Sequence, residues 1–379
     1  MPSSITQTIK NSLADADITI NGSRPWDIQV HNDKLYSRVL RQGSLGLGEA
    51  YMDGWWDAES LDDFYYHILA SRLEEKFSNG LKWVAMSIAQ RLFNYQGRGR
   101  AFVVGEKHYD LGNDLYLAML DKRLTYTCGY WPDAHNLDEA QVAKLDLVCR
   151  KLNLKPGQRI LDIGCGWGSF MKYAAEKYGV EVVGLTVSKE QVALGQTLCA
   201  GLPVEFRLED YRVVRGEFDH VVSLGMFEHV GYKNARAFMG VARRSLKNNG
   251  LFLLHTIGWP ISGKTSEPWI DKYIFPNHHL PSLAQITRAA EKIFIVEDIQ
   301  NFGADYDKTA CAWFQNFNQN WPALKTRYDE RFYRMWKNYL LLIAALARAR
   351  QIQLWQIIFL LTGFRVGIRQ FANEVRVWN

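Results

Sequence analysis

Ile160-Leu-Asp-Ile-Gly-Cys-Gly-Trp-Gly-Ser-Phe170 begins as an apolar run, breaks into glycines at the alternate positions Gly164, Gly166 and Gly168, and resumes with a helical pattern. Such a stretch predicts a strand, a tight turn and a helix. Bare glycines let the backbone pass against a ligand where a Cβ would clash, and the helix that follows offers its unpaired N–H groups at the same place. Asp162, at the end of the strand, is placed to take a polar group of that ligand. A lone G-x-G is a weak signal, so the ligand has to be read from the rest of the chain.

The period repeats downstream. A helix over 169–177 is followed by a strand over 181–187, a helix over 189–199 and a strand over 204–208. Next come a strand over 218–224, a helix over 234–246 and a strand over 251–257. Strands separated by 10–15 residues of helix predict a doubly wound, mostly parallel α/β sheet whose ligands sit beyond the C-terminal strand ends. Asp162, Thr186, Asp210, Glu228 and His255 all fall at those ends. Upstream, 124–131 has strand-like residues and 137–152 a helical period, stopped by Lys155-Pro-Gly157.

At 379 residues the chain has length for two domains, with roughly 150 residues per domain as a guide. The hydrophobic content of 47% and aromatic content of 13% are enough to line an apolar pocket as well as a core. A net charge of +5 argues only weakly for an anionic partner, and no nucleic-acid partner is expected. The five cysteines are odd in number and lack C-x-x-C spacing, so neither a disulfide frame nor a metal site is expected. The first twenty residues lack a signal peptide's apolar core, and the longest apolar run, 339–364, is interrupted by Arg348 and Arg350. A cytoplasmic protein without a membrane span is expected. The domain expectation is an N-terminal unit over 1–80, an amphipathic basic linker over 81–105, and the α/β domain over 106–379 with a helical C-terminal segment. The N-terminal unit starts with a helix near 5–16 and a short strand at 18–20, and contains the glycine-rich stretch Gly43–Trp56. The linker suits either packing between domains or an anionic bilayer surface.

Strand, G-x-G-x-G, helix, second strand, then an acid after the third strand is the arrangement of S-adenosylmethionine-dependent methyltransferases. A nicotinamide site would need G-x-G-x-x-G, and here the third glycine comes one residue early. No acid ends the second strand, so Thr186, Ser188 and Gln191 would hold the ribose, while Asp210 is placed for the adenine amine. The methyl acceptor stays open on this reading. Glu228, His229 and His255 could remove a proton from a nitrogen or oxygen acceptor, whereas Met226, Phe227, Ile257 and Trp259 suit a hydrocarbon.

Six motifs narrow the choice: Leu161-Asp-Ile-Gly-Cys-Gly-Trp-Gly168, Tyr126-Thr-Cys-Gly-Tyr-Trp131, Gly225-Met-Phe-Glu-His-Val-Gly231, Leu254-His-Thr-Ile-Gly258, Phe302-Gly-Ala-Asp-Tyr306 and Gln353-Leu-Trp-Gln356. In this order they closely resemble the cyclopropane-fatty-acyl-phospholipid synthases and the related mycolic acid cyclopropane synthases, and Gly43–Trp56 resembles the phospholipid branch's N-terminal domain. The resemblance implies a class I S-adenosylmethionine-dependent methyltransferase fold with a smaller N-terminal, lipid-handling domain. It implies methylene transfer to the cis double bond of an unsaturated acyl chain in a membrane phospholipid, through a carbocation deprotonated by bound bicarbonate. The bicarbonate would be held by Glu228, His255, Tyr306 and the backbone near Cys128, Gly225 and Ile257. Tyr126, Thr127 and Tyr211 would join Asp162, Gly164, Gly166, Gly168, Thr186, Ser188, Gln191 and Asp210 around S-adenosylmethionine. A homodimer on the inner face of the cytoplasmic membrane is also implied. The same cation could lose its proton elsewhere, so a methylated or methylene product without ring closure is the alternative.

Overall fold

The computed structural model describes residues 4–73, 112–263 and 267–361. The expected linker over 81–105 and residues 362–379 lie outside the described residues. Two compact units interleave along the chain: residues 1–121, 259–280 and 302–353 form one, and residues 122–258, 281–301 and 354–379 the other. The domains expected from sequence run in chain order, and these units do not.

The reason for the interleaving is visible in the unit that contains the N-terminus. Its helices Ser4–Asp15, Lys34–Gln42, Ser44–Met52 and Leu61–Ala70, with a two-residue ladder of β1 (Gln29–Val30) and β2 (Trp56–Asp57), close on helices from the far end of the sequence. Helix Glu330–Arg348 packs on both Leu61–Ala70 and Ser44–Met52. Tyr65 donates to Asn338 at 2.5 Å, Arg334 donates to the Tyr51 carbonyl at 2.5 Å, and Arg348 pairs with Asp62, Asp63 and Asp307. The glycine-rich stretch Gly43–Trp56 is mostly helix. Gly46 and Gly48 there serve close packing, because a Cβ would meet the Arg38 carbonyl at 2.7 Å and the Trp269 ring at 2.5 Å. The strand expected at 18–20 is reduced to one bridge, Ile20 with Ile28.

The other unit is built on one sheet of seven strands: β3 (Arg159–Ile163), β4 (Glu181–Thr186), β5 (Val204–Leu208), β6 (Phe218–Leu224), β7 (Leu246–Gly258), β8 (Phe294–Asn301) and β9 (Gln353–Leu361). Their order is β5-β4-β3-β6-β7-β9-β8. Strands β3 to β7 pair in parallel among themselves, and β8 pairs antiparallel with β9. This is the class I methyltransferase fold. Alternate residues point to opposite faces: Leu161, Ile163, Val221, Phe252 and Phe359 fill one core, and Ile160, Val182, Val222, Leu253 and Ile358 the other.

Two differences from the sequence reading have physical causes. The helical C-terminal segment contains β8 and β9. Strand β9 reads Gln-Leu-Trp-Gln-Ile-Ile-Phe-Leu-Leu, and a short apolar run buried on both faces has no period to separate it from a buried helix. The segment 124–131 is not a strand. Its backbone groups are taken by the neighbouring helix Leu137–Lys151: Gln141 donates to the Thr125 and Thr127 carbonyls at 3.3 and 2.7 Å, and Tyr130 N–H donates to the Ala140 carbonyl at 2.9 Å.

Candidate active site

The strand order turns between β3 and β6, and the loops that leave these two strands are the glycine arm and Gly225-Met-Phe-Glu228. A ligand site at this switch point is what a doubly wound sheet provides. The three arm glycines all have positive φ, and each is bare for its own reason. A Cβ on Gly164 would meet Met226 at 2.6 Å, and one on Gly168 would meet the Phe206 ring at 2.5 Å. A Cβ on Gly166 would meet nothing within 4 Å, so this glycine faces open space at the turn. Gly168 caps helix Ser169–Tyr178, whose first N–H groups follow directly.

Asp162 is almost fully buried, and among the described residues its Oδ1 has no hydrogen-bond partner. Burial pushes its carboxyl up to about 7, against the pull of the nearby Lys144 ammonium. A buried polar atom left in that state costs about 1–3 kcal/mol, which fits a ligand that supplies the donor. The open cradle at Gly166 and this vacant oxygen fit S-adenosylmethionine, which carries an ammonium and ribose hydroxyls. At the end of β4, Thr186 donates to Gln191 Oε1 at 2.6 Å, and Ser188 caps helix Lys189–Leu198 by accepting from Gln191 N–H at 3.3 Å. The three expected ribose groups therefore come together as one buried cluster. Asp210 accepts from both the backbone N–H and Nε of Arg212 at 2.9 Å through one oxygen. Tyr211 points into the core against Phe238, with ring centroids 5.2 Å apart, so what it presents to a cofactor is backbone.

The second half of the site lies beyond β6 and β7. Gly225 has a positive φ, and a Cβ there would meet Thr127 Cγ2 at 2.5 Å, which brings the Tyr126–Cys128 segment against the β6 loop. Glu228, on the single turn Phe227–His229, is buried; its Oε1 accepts from the Ile257 N–H at 2.6 Å, and Oε2 has no partner among the described residues. Burial pushes Glu228 up to about 7, although the Ile257 N–H and the Thr256 hydroxyl act to lower it. His255, fully buried on β7, is pushed well below the usual imidazole range, first by burial and then by Lys144 and Lys151. The Gly225 N–H donates to the His255 carbonyl at 2.9 Å. The N–H groups of Gly225 and Ile257 are thus already engaged, and the Ile257 carbonyl accepts from the Thr256 hydroxyl at 3.1 Å. Tyr306 belongs to the other unit, in the first turn of helix Asp305–Leu324, buried edge-on to Trp313 at 5.8 Å.

Comparison with known proteins gives this geometry a lineage. The sequence profile for mycolic acid cyclopropane synthetase matches residues 97–357. The chain belongs to the cyclopropane synthase family. It is 51% identical over 357 residues to the cyclopropane-fatty-acyl-phospholipid synthase of Escherichia coli K12, covering 94% of this chain and 93% of that one. The cyclopropane synthase MmaA2 of Mycobacterium tuberculosis superposes with a TM-score of 0.65 at 31% identity, over 68% of this chain and 97% of that one. A mycolic acid cyclopropane synthase, CmaA1, complexed with SAH and CTAB, superposes with a TM-score of 0.64 at 34% identity, over 68% and 97%.

For a cyclopropane synthase family member, the residues that sequence reasoning missed are as informative as those it found. Lys144 is fully buried and donates to Thr127 Oγ1 at 2.8 Å, while its charge acts on both Asp162 and His255. With Gln141 it fixes the Tyr126–Cys128 segment from the helix side. A signal was present: Gln141, Lys144 and Lys151 recur at helical steps among the apolar residues of 137–151, where a solvated face would not put them. Gln356 was noted only as part of a motif, yet it is a fully buried amide in an apolar strand. Among the described residues no helix is long and apolar enough to cross a membrane, and no three His, Cys, Asp or Glu side chains group as a metal site.

Proposed function

We propose that this chain transfers a methylene group from S-adenosylmethionine to the cis double bond of unsaturated acyl chains in membrane phospholipids, forming cyclopropane fatty acids. The observation that carries this reading is the 51% identity with the E. coli phospholipid synthase across nearly the whole of both chains. The local chemistry supports it. An alkene has no proton to remove before it attacks, so transfer depends on close placement and exclusion of water. S-adenosylmethionine, when bound, supplies an electrophilic methyl group. Asp162 and the Thr186–Ser188–Gln191 cluster would hold it over the Gly166 cradle, and Lys144 would keep Thr127 and its neighbours in place.

Glu228 and His255 would form the far side of the reacting centre. The cation formed on the lipid must lose a proton before the ring closes, and bicarbonate, held by these side chains, would be the base. Glu228, whose carboxyl burial pushes up to about 7, can share a proton with that anion where a fully ionised carboxylate would repel it. His255 stays neutral and donates from one ring nitrogen. A homodimer working at the inner face of the cytoplasmic membrane completes the reading, with residues 4–73 as part of the lipid-handling surface.

The test is one incubation of the protein with S-adenosylmethionine and vesicles of unsaturated phospholipid. Acyl chains should gain one CH2 by mass and lose their olefinic proton signals. Gain with a surviving alkene signal would mean a methylene or methylated product without ring closure, and no gain would refute the enzyme reading. Omission of bicarbonate should slow turnover; indifference to it would remove the proposed base.

A further inference from the structure

Strand β9 lies between β7 and β8, and its Gln356 is fully buried beside His255 of β7. Gln356 Nε2 lies 3.4 Å from His255 Nδ1, and Gln356 Oε1 has no partner among the described residues. A fully buried amide beside Ile357, Ile358 and Phe359 calls for a reason. Two arrangements are possible for this pair. If the amide NH2 faces the ring, Nδ1 accepts from one N–H, and the carbonyl oxygen and one N–H are left over. With the amide reversed, Nδ1–H would donate to the oxygen and two N–H donors would be left over. Orphaned buried N–H groups are rarer than under-satisfied carbonyls, so the first arrangement is favoured.

We infer that Gln356 is a positioning residue that locks His255 as the neutral tautomer with its hydrogen on Nε2. His255 then acts on the reacting centre as a donor only, from a ring whose rotation is stopped by the amide at the other nitrogen. The groups around the ring fit this role. Lys144 and Lys151, from helix Leu137–Lys151, both oppose a second proton on His255. Lys151 is itself countered by Asp298 of β8 at 3.5 Å, and on the strand's own side Glu228 is tied to the Ile257 N–H two residues along. Strand β6 presents Leu224 opposite His255 and adds no charge. The role in turnover rests on the proposed function, whereas the tautomer itself does not.

Nitrogen-15 NMR of the full chain, deuterated and labelled at histidine, separates the two. The His255 signals are identified by their loss in His255→Asn. The expected result is a protonated Nε2 and an unprotonated Nδ1, unchanged from pH 6 to 8; a protonated Nδ1 overturns the inference whether or not the protein makes cyclopropanes. Gln356→Glu replaces the donor by an acceptor and draws a hydrogen onto Nδ1. Donation from Nε2 then requires the doubly protonated ring, so turnover should fall by about 100-fold at pH 8 and recover in part as the pH is lowered. Gln356→Leu should lower kcat without that pH dependence and leave KM for S-adenosylmethionine within about twofold. Equal losses in both variants with the wild-type pH profile would mean a packing role only and would sink the assignment. Thermal unfolding of each variant excludes loss through misfolding.

Discussion

Two pairs of buried acids, one pair in each unit, are held in opposite ways. In the unit of the N-terminal helices, Glu49 accepts from Lys272 at 2.5 Å, Arg38 at 2.7 Å and Tyr273 at 2.9 Å. Burial works to raise its carboxyl, but these donors outweigh it and hold it at about 2. Asp27 is likewise held at about 2 by Arg24 and two backbone N–H groups, against the effect of burial. In the sheet unit, Asp162 and Glu228 are buried as deeply, each keeps an oxygen without a partner among the described residues, and both stand at about 7. Donors surround Glu49 and Asp27, whereas at Asp162 and Glu228 part of the acid's capacity is withheld. A carboxylate kept short of partners is the state a ligand or a shared proton can complete.

That contrast can be broken at several points. Glu228→Gln should have the largest effect, cutting turnover by about 10²–10⁴ while leaving SAH binding measurable by calorimetry. The same change should leave stability at pH 8 equal or higher, because it removes a buried charge without a counter-ion. Glu49→Gln should do the reverse. Removing one partner of a buried pair costs about 3–5 kcal/mol, discounted here because Lys272 is half exposed, so a loss of about 2 kcal/mol in urea unfolding is expected. Asp162→Asn should weaken SAH by about 10- to 100-fold, the worth of a hydrogen bond to a charged group, with little change in melting temperature.

Acidity sharpens the comparison further. Asp162 and Glu228 have folded-state values above their unfolded ones, so their contribution to stability is complete below the ordinary carboxylate range and is lost as pH rises through about 7. Glu49 and Asp27 contribute above the ordinary range and lose it as pH falls towards about 2. Unfolding followed at pH 6 and 8 should therefore show a fall in stability that the double variant Asp162→Asn, Glu228→Gln flattens. The smallest effect belongs to Lys144→Met. Its ammonium lowers Asp162, so its removal should move the midpoint of pH-dependent SAH binding upward. An unchanged midpoint would show that Lys144 acts on Thr127 alone.

The sheet from β3 to β7 was legible because helix and strand alternate there with distinct periods and turn residues between them. The placement of Asp162, Thr186, Asp210, Glu228 and His255 near the C-terminal ends of strands was legible for the same reason. Strand β9 was not, because an apolar run enclosed on both faces loses its period, and neither was β8, an edge strand whose Ile295 and Ile299 stay exposed and so give no apolar face to read. The segment 124–131 was misread because side chains of Gln141 and Lys144, more than a dozen residues later, take the place of a strand ladder. The partnership of Gly43–Trp56 with helices beyond residue 259 could not be read locally, since nothing near Gly48 announces that Trp269 will lie against it.

The position of β9 also has a consequence for how the protein is made. This strand comes from residues 353–361 yet sits inside the sheet, between β7 and β8. A chain emerging from the ribosome can pair β3 to β7 early, but β8 has no neighbour until some fifty residues later, and β7 keeps an open edge until then. Unpaired strand edges invite association with other chains. A nascent chain halted before residue 353 would be expected to aggregate or to recruit chaperones, whereas one that includes residue 361 closes the gap from within.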